Sequence, residues 1–156
     1  MKRLSPHRLM EALQTATQDL GSRSAALGDL LAAIPDPQAR FSGLVEYARG
    51  RALLPPELRL DEFRVPGCQV RIWLVPEFRD ERCWFQLDSD AVSLKAVAGL
   101  ICDFYNGQPP GAILDHPPEF LNELNLQTNM AESRRLTVWR VREMIREFAH
   151  AQLHTV

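Results

Sequence analysis

Apolar residues in this chain fall first at helical and then at alternating spacing, and the change of period organises everything else. After Ser5-Pro6, a capping serine followed by the proline favoured at a first helical position, Leu9, Leu13, Ala16 and Leu20 mark a first helix that Gly21 ends. Leu27, Leu30, Leu31 and Ile34 mark a second, from about Ser24 to Ala33, broken by Pro35-Asp36-Pro37. Asp36 with Pro37 starts a third, where Phe41, Leu44, Val45 and Ala48 fall at i, i+3, i+4 and i+7 and Gly50 closes the segment. An irregular connection containing Pro55-Pro56 follows.

From about Glu62 the period is two. Val70, Ile72 and Leu74 share one strand face while Gln69, Arg71 and Trp73 take the other. After the polar turn Arg79-Asp80-Glu81 a second strand aligns Cys83, Phe85 and Leu87, which predicts a β-hairpin. Asp88-Ser89-Asp90 then offers side chains suited to cap a long helix with Val97, Leu100, Ile101 and Phe104 as its buried stripe, ended by Asn106-Gly107 and Pro109-Pro110. Asp115-His116-Pro117 begins a short helix through Leu124, and a polar loop from Asn125 to Glu132 leads to a last helix from about Ser133 to Gln152. Val138, Val141, Ile145 and Phe148 hold that helix to the core, and its face of Arg135, Arg142 and Arg146 with interleaved glutamates is more often a solvated surface than a binding stripe. The predicted class is α+β: a small antiparallel sheet of about three strands packed against several helices.

Composition narrows the function classes. At 156 residues, 46% of them hydrophobic, residues 1–156 suit one domain able to bury a core without disulfides or metal. With 18 basic and 20 acidic residues the formal charge is −2, so nucleic acid and anionic lipid are not the expected partners. No apolar run is long enough to span a bilayer and no hydrophobic stretch follows the N-terminal charges, so a cytoplasmic location is expected. Cys68, Cys83 and Cys102, separated by 15 and 19 residues, fit no metal-site spacing, and neither metal nor cofactor is expected.

One of these thiols stands apart. Val65-Pro66-Gly67-Cys68-Gln69 puts Cys68 in a Pro-Gly turn directly before a strand, where Gly67 permits backbone geometry closed to other residues and Pro66 supplies no amide donor. A constrained loop there presents the thiol instead of hiding it in a regular element. Cys83 alternates with Phe85 and Leu87, and Cys102 lies beside Ile101, so both read as core packing.

The chain resembles the SufE family of sulfur-acceptor proteins, which partner cysteine desulfurases in iron–sulfur cluster assembly. Four stretches carry the resemblance: Phe41 to Gly50 with Leu54-Pro55; Gly67-Cys68-Gln69 with Trp73 behind it; Asp88-Ser89-Asp90-Ala91 opening a helix that reaches Tyr105-Asn106-Gly107; and Leu126-Gln127 through Ser133-Arg134. Residues 1–35 match poorly and are expected to form a helical extension. The resemblance implies a fold similar to the cluster-scaffold proteins of the same pathways. It also implies that Cys68 is the persulfide acceptor, and that the partners are a cysteine desulfurase and an iron–sulfur scaffold complex; homodimer formation stays open. Departures from the family fall at Val70, at Asn129 where histidine is common, and at Glu132 in place of proline, all beside the expected docking surface.

Persulfide transfer requires a thiolate to attack the outer sulfur of a donor Cys–S–SH, so nearby positive charge favours it. Arg71 and Arg134 are the candidates, with Gly67 and Gln69 shaping the loop and Asp90 expected either to cap the following helix or to hold the loop closed. Two other readings remain: an adaptor that keeps the fold without sulfur transfer, and a cysteine-dependent hydrolase or thiol transferase using Cys68 with His116 as base and Asp115 or Asp90 as orienter.

Overall fold

The computed structural model describes residues 3–15 and 19–153. The first helix, α1 (Pro6–Thr15), starts where Ser5 Oγ accepts from the Arg8 amide at 3.2 Å. Ala16, expected on its apolar stripe, lies outside the described residues. Helix α2 (Leu20–Ala32) begins earlier than its spacing suggests, because Asp19 caps it by accepting from the Gly21 amide at 3.1 Å and the Ser22 hydroxyl at 2.9 Å. Leu20 therefore opens the second helix and Gly21 sits in its first turn. The apolar spacing runs across the break because both helices face one core, in which Leu9, Leu13, Leu20, Leu27 and Leu31 are all buried.

Helix α3 (Pro37–Arg49) starts as expected, with Asp36 accepting from the Gln38 amide at 3.1 Å and Pro37 at the first helical position. Gly43 lets the N-terminal segment lie against it: an added Cβ would stand 2.4 Å from the Leu4 carbonyl oxygen.

The sheet has two antiparallel strands, β1 (Ile72–Arg79) and β2 (Arg82–Ser89), paired from Ile72↔Ser89 to Arg79↔Arg82. Asp80 and Glu81, at φ 53° and 62°, form the two-residue turn whose twist suits a hairpin. About three strands were expected, and the count is corrected to two. Among the described residues the segment before β1 forms a single β-bridge with it, Arg64↔Trp73, with the Val65 amide donating to Ile72 O at 2.9 Å. Pro66 then removes the next donor and Gly67 turns the chain away, so no ladder grows there.

Helix α4 (Val92–Tyr105) is the central pillar, buried without interruption from Leu94 to Cys102. Arg23 of α2 caps its far end, donating to Phe104 O at 2.7 Å, which places a cation at the negative end of the helix. The capping role expected of Asp88 is corrected. The residue at the helix start is Ala91, with no side-chain cap, and Asp88 turns inward instead. There it accepts from the Leu54 amide at 2.9 Å, Arg59 Nη2 at 2.6 Å and the Ser89 amide at 2.8 Å, with Lys95 Nζ at 3.3 Å. A buried carboxylate with these partners joins the pre-strand loop, β2 and α4 at one point.

Beyond α4 the helix boundaries also differ. Asp115 ends a short helix, α5 (Pro110–Asp115), instead of starting one, because Pro110 is preset for a first helical turn while Pro117 and Pro118 stop the chain behind it. A 3-10 stretch (Glu119–Leu124), the short α6 (Leu126–Asn129) and the long α7 (Glu132–Leu153) complete the chain. Val138, Val141 and Ile145 of α7 are buried, as their spacing predicted.

Asp88 supplies a stability prediction. Burial opposes its ionisation, but the Leu54 and Ser89 amides and the Lys95 ammonium outweigh burial and hold the carboxyl below its ordinary value of 3.8. Its contribution is therefore complete above that value and is lost as pH falls through the lower folded-state value. Asp88→Asn is expected to cost about 3 kcal/mol at neutral pH, by leaving Lys95 and Arg59 without their carboxylate. Denaturant titrations across the acid range should show a flatter acid limb for the variant than for the native chain.

Candidate functional site

The loop between Val65 and Ile72 is built to fix one sulfur. Gly67 has φ +75°, a left-handed conformation costly for a residue with a Cβ. It also packs over a guanidinium: an added Cβ would stand 2.4 Å from Arg140 Nη1. Arg140, on α7, donates to the Pro66 carbonyl at 3.0 Å, so the turn is held from beneath as well as through its own backbone.

Cys68 is half-buried against the core, and its Sγ lies 3.6 Å from Pro66 O, 3.2 Å from Thr137 Oγ1 and 3.9 Å from Arg140 Nη1. Thr137 Oγ1 is also 3.1 Å from Ser133 O. Its single hydroxyl proton can serve the carbonyl or the sulfur, and turns to the sulfur when that atom is an anion.

The thiol lines a cleft of about 570 Å³. Gly67, Cys68, Gln69 and Val70 form one wall, Ser93 and Leu94 of α4 another, and Asn129, Ala131 and the α7 residues Ser133, Arg134, Leu136, Thr137 and Arg140 complete it. Among the described residues no carboxylate lines it. The cleft is therefore cationic and rich in hydroxyls, a setting for an anion.

Of the two arginines expected near the thiol, only Arg134 lines this cleft, where Nη1 donates to Ser93 Oγ at 2.7 Å and ties α7 to α4. Arg71 is committed elsewhere: Nε donates to Asp90 Oδ2 at 2.7 Å and the guanidinium stacks 5.5 Å from the Trp73 ring centre. The Arg71 carbonyl also accepts from the Asp90 amide at 3.1 Å and Ser89 Oγ at 2.8 Å. Asp90 thus clamps the exit of the cysteine loop and does not cap α4. Gln69 is exposed beside the thiol.

Arg140 and Thr137 escaped the sequence reading, which took Arg134 as a candidate and Arg135, Arg142 and Arg146 as a solvated face of the last helix. A signal was available: Ser133, Arg134, Thr137 and Arg140 recur at i, i+1, i+4 and i+7, a polar stripe adjoining the apolar one.

The other sequence candidates lie apart. Cys83 and Cys102 are fully buried, and burial pushes their thiols up to about 11 and about 12. His116 Nδ1 is 2.9 Å from Ala112 O, its carbonyl accepts from Tyr105 Oη, and neither His116 nor Asp115 lines the Cys68 cleft. Among the described residues no group of three or more His, Cys, Asp or Glu side chains could hold a metal ion, and no helix is long and apolar enough to cross a membrane.

Known proteins resemble this chain along most of its length. The SufE family model, described as an Fe-S metabolism associated domain, matches residues 25–149, starting inside α2. SufE-like protein 1, chloroplastic/mitochondrial, of Arabidopsis thaliana is 28% identical over 118 residues, which are 75% of this chain and 32% of that protein. An uncharacterized SufE-like protein of Synechocystis is 27% identical over 99 residues, 64% of this chain and 62% of that one. The chain thus spans less than two thirds of the length of either relative. A chloroplastic quinolinate synthase of Nicotiana tabacum is 32% identical over 96 residues, 58% of this chain but only 13% of that protein. The solution structure of a hypothetical protein from Thermus thermophilus shares the fold, with a TM-score of 0.66 at 22% identity, covering 97% of this chain and 99% of that one. With the family match extending over most of the sequence, the chain belongs to the SufE family.

Proposed function

We propose that this chain is a sulfur carrier in iron–sulfur metabolism, which takes persulfide sulfur from a cysteine desulfurase onto Cys68 and passes it to an iron–sulfur scaffold complex. One observation carries the reading: in a SufE-family chain, a half-exposed thiol on a glycine-dependent turn lines a cleft together with Arg134, Arg140 and hydroxyls, with no carboxylate among its described lining residues. In the proposed step the Cys68 thiolate attacks the outer sulfur of the donor Cys–S–SH. A new S–S bond forms at Cys68 as the donor S–S bond breaks, and the bonding pair leaves on the donor sulfur as thiolate, with no net oxidation. The desulfurase generates the donor persulfide, so the carrier itself needs no cofactor and no turnover of its own.

The hydrolase reading has less support, since among the described residues no histidine or carboxylate lines the cleft to serve as base. The three unpaired thiols suit a reducing compartment, and the cytoplasm is the one proposed; the printed name of the Arabidopsis relative places that protein in chloroplast and mitochondrion. Exposed Leu136, on the rim of the cleft, together with Val70 and Asn129, is the surface proposed to meet the desulfurase.

The test is to mix the chain with a cysteine desulfurase and cysteine and weigh it intact. The carrier gains one or more sulfurs, and Cys68→Ser abolishes the gain. A chain that binds the desulfurase but stays unmodified would instead be an adaptor. Alkylation checks the sheltered resting state: Cys68, held by Thr137 and Arg140, should react slowly in the isolated chain and several-fold faster with the desulfurase present, and equal rates would argue against loop release on docking.

A further inference from the structure

We infer that Arg140, assisted by Thr137, is the positioning residue that holds the outer sulfur of a Cys68 persulfide inside the cleft; the inference rests on the carrier reading. Geometry is the first argument. An S–S bond of about 2.05 Å places the outer sulfur one bond beyond Sγ, within hydrogen-bonding reach of both Arg140 Nη1, now 3.9 Å from Sγ, and Thr137 Oγ1, now 3.2 Å from it.

Charge is the second. Arg59 is paired with Asp88 and Arg71 with Asp90, whereas Arg140 donates only to the neutral Pro66 carbonyl and the sulfur, and no salt bridge between described residues includes it. Its positive charge is therefore uncompensated beside the one atom that becomes an anion. Arg134, the other cation of the cleft, is turned to Ser93.

Backbone is the third. Gly67 leaves the space the guanidinium fills, so the turn and the arginine are fitted to each other. Thr137 completes the arrangement: its hydroxyl rests between Ser133 O at 3.1 Å and the sulfur at 3.2 Å and can be handed from one to the other as the sulfur gains charge.

The experiment compares the native chain with Arg140→Gln and Arg140→Lys, with circular dichroism confirming that each is folded. Alkylation of Cys68 is measured with neutral iodoacetamide and anionic iodoacetate. A charge beside the sulfur favours the anionic reagent, so the iodoacetate-to-iodoacetamide rate ratio should fall roughly three- to five-fold in Arg140→Gln, the size expected when the guanidinium lies about 4–7 Å from the reagent's carboxylate in a water-like medium. Arg140→Lys should restore it. A residue that only props up the loop would change both rates alike, and an unchanged ratio overturns the inference.

In a second arm, Cys68 is loaded chemically with inorganic polysulfide and the survival of the persulfide is followed. Arg140→Gln should shorten it several-fold, Thr137→Val less, and Arg140→Lys should recover most of it. Equal lifetimes also overturn the inference while leaving the carrier reading intact. A native chain that loads from polysulfide but never from a desulfurase would defeat the carrier reading alone.

Discussion

The constraint on which the rest depends is the left-handed turn at Gly67, seated on the Arg140 guanidinium. A side chain at that position would meet both a disfavoured backbone region and a filled space. With glycine there, the chain leaves the Arg64↔Trp73 bridge, turns against α7 and delivers Cys68 to the lining of the cleft before β1 begins. The sulfur is held by a few directed contacts with another element, so it is ordered without being entombed. Contacts of that number and strength are ones a docking partner can replace.

Around this turn, identifiable contacts tie the loop to the core. The exit of the loop is clamped by Arg71 and Asp90, and behind it Trp73 has the Arg71 and Arg59 guanidiniums over its ring, at 5.5 and 5.0 Å from its centre. Arg59 leads to Asp88, whose buried carboxylate gathers Leu54, Ser89 and Lys95. The loop is thus connected to the central helix through alternating charges and one aromatic ring. Its other side rests on α7, joined to α4 by Arg134 and Ser93. At the tip, residues 66–69, Arg140 and Thr137 make the contacts across to α7.

Period and punctuation made the hairpin, the central helix and the last helix legible, because their apolar residues face one core. Boundaries were less legible where a polar side chain decided them: Asp19 moved the start of α2, and Asp88 left the helix end for a buried ion cluster. Both are aspartates in a capping context, and only the tertiary surroundings determine which amides they serve. Cys68 was visible because Pro66, Gly67 and the strand behind them are local. Arg140 and Thr137 were not, because they come from more than sixty residues downstream and meet the loop only through the packing of α7. Arg71, the nearest arginine in sequence, proved to be committed to Asp90, so proximity along the chain was a poor guide to charge at the sulfur.

The central claim is that one thiol of three receives the sulfur. The most direct measurement is peptide-level mass mapping of the sulfur-loaded native chain after trapping with an alkylating reagent. The extra sulfur is expected on the peptide containing Cys68, with Cys83 and Cys102 unmodified. Extra sulfur on either buried cysteine, with Cys68 unmodified, would contradict that claim.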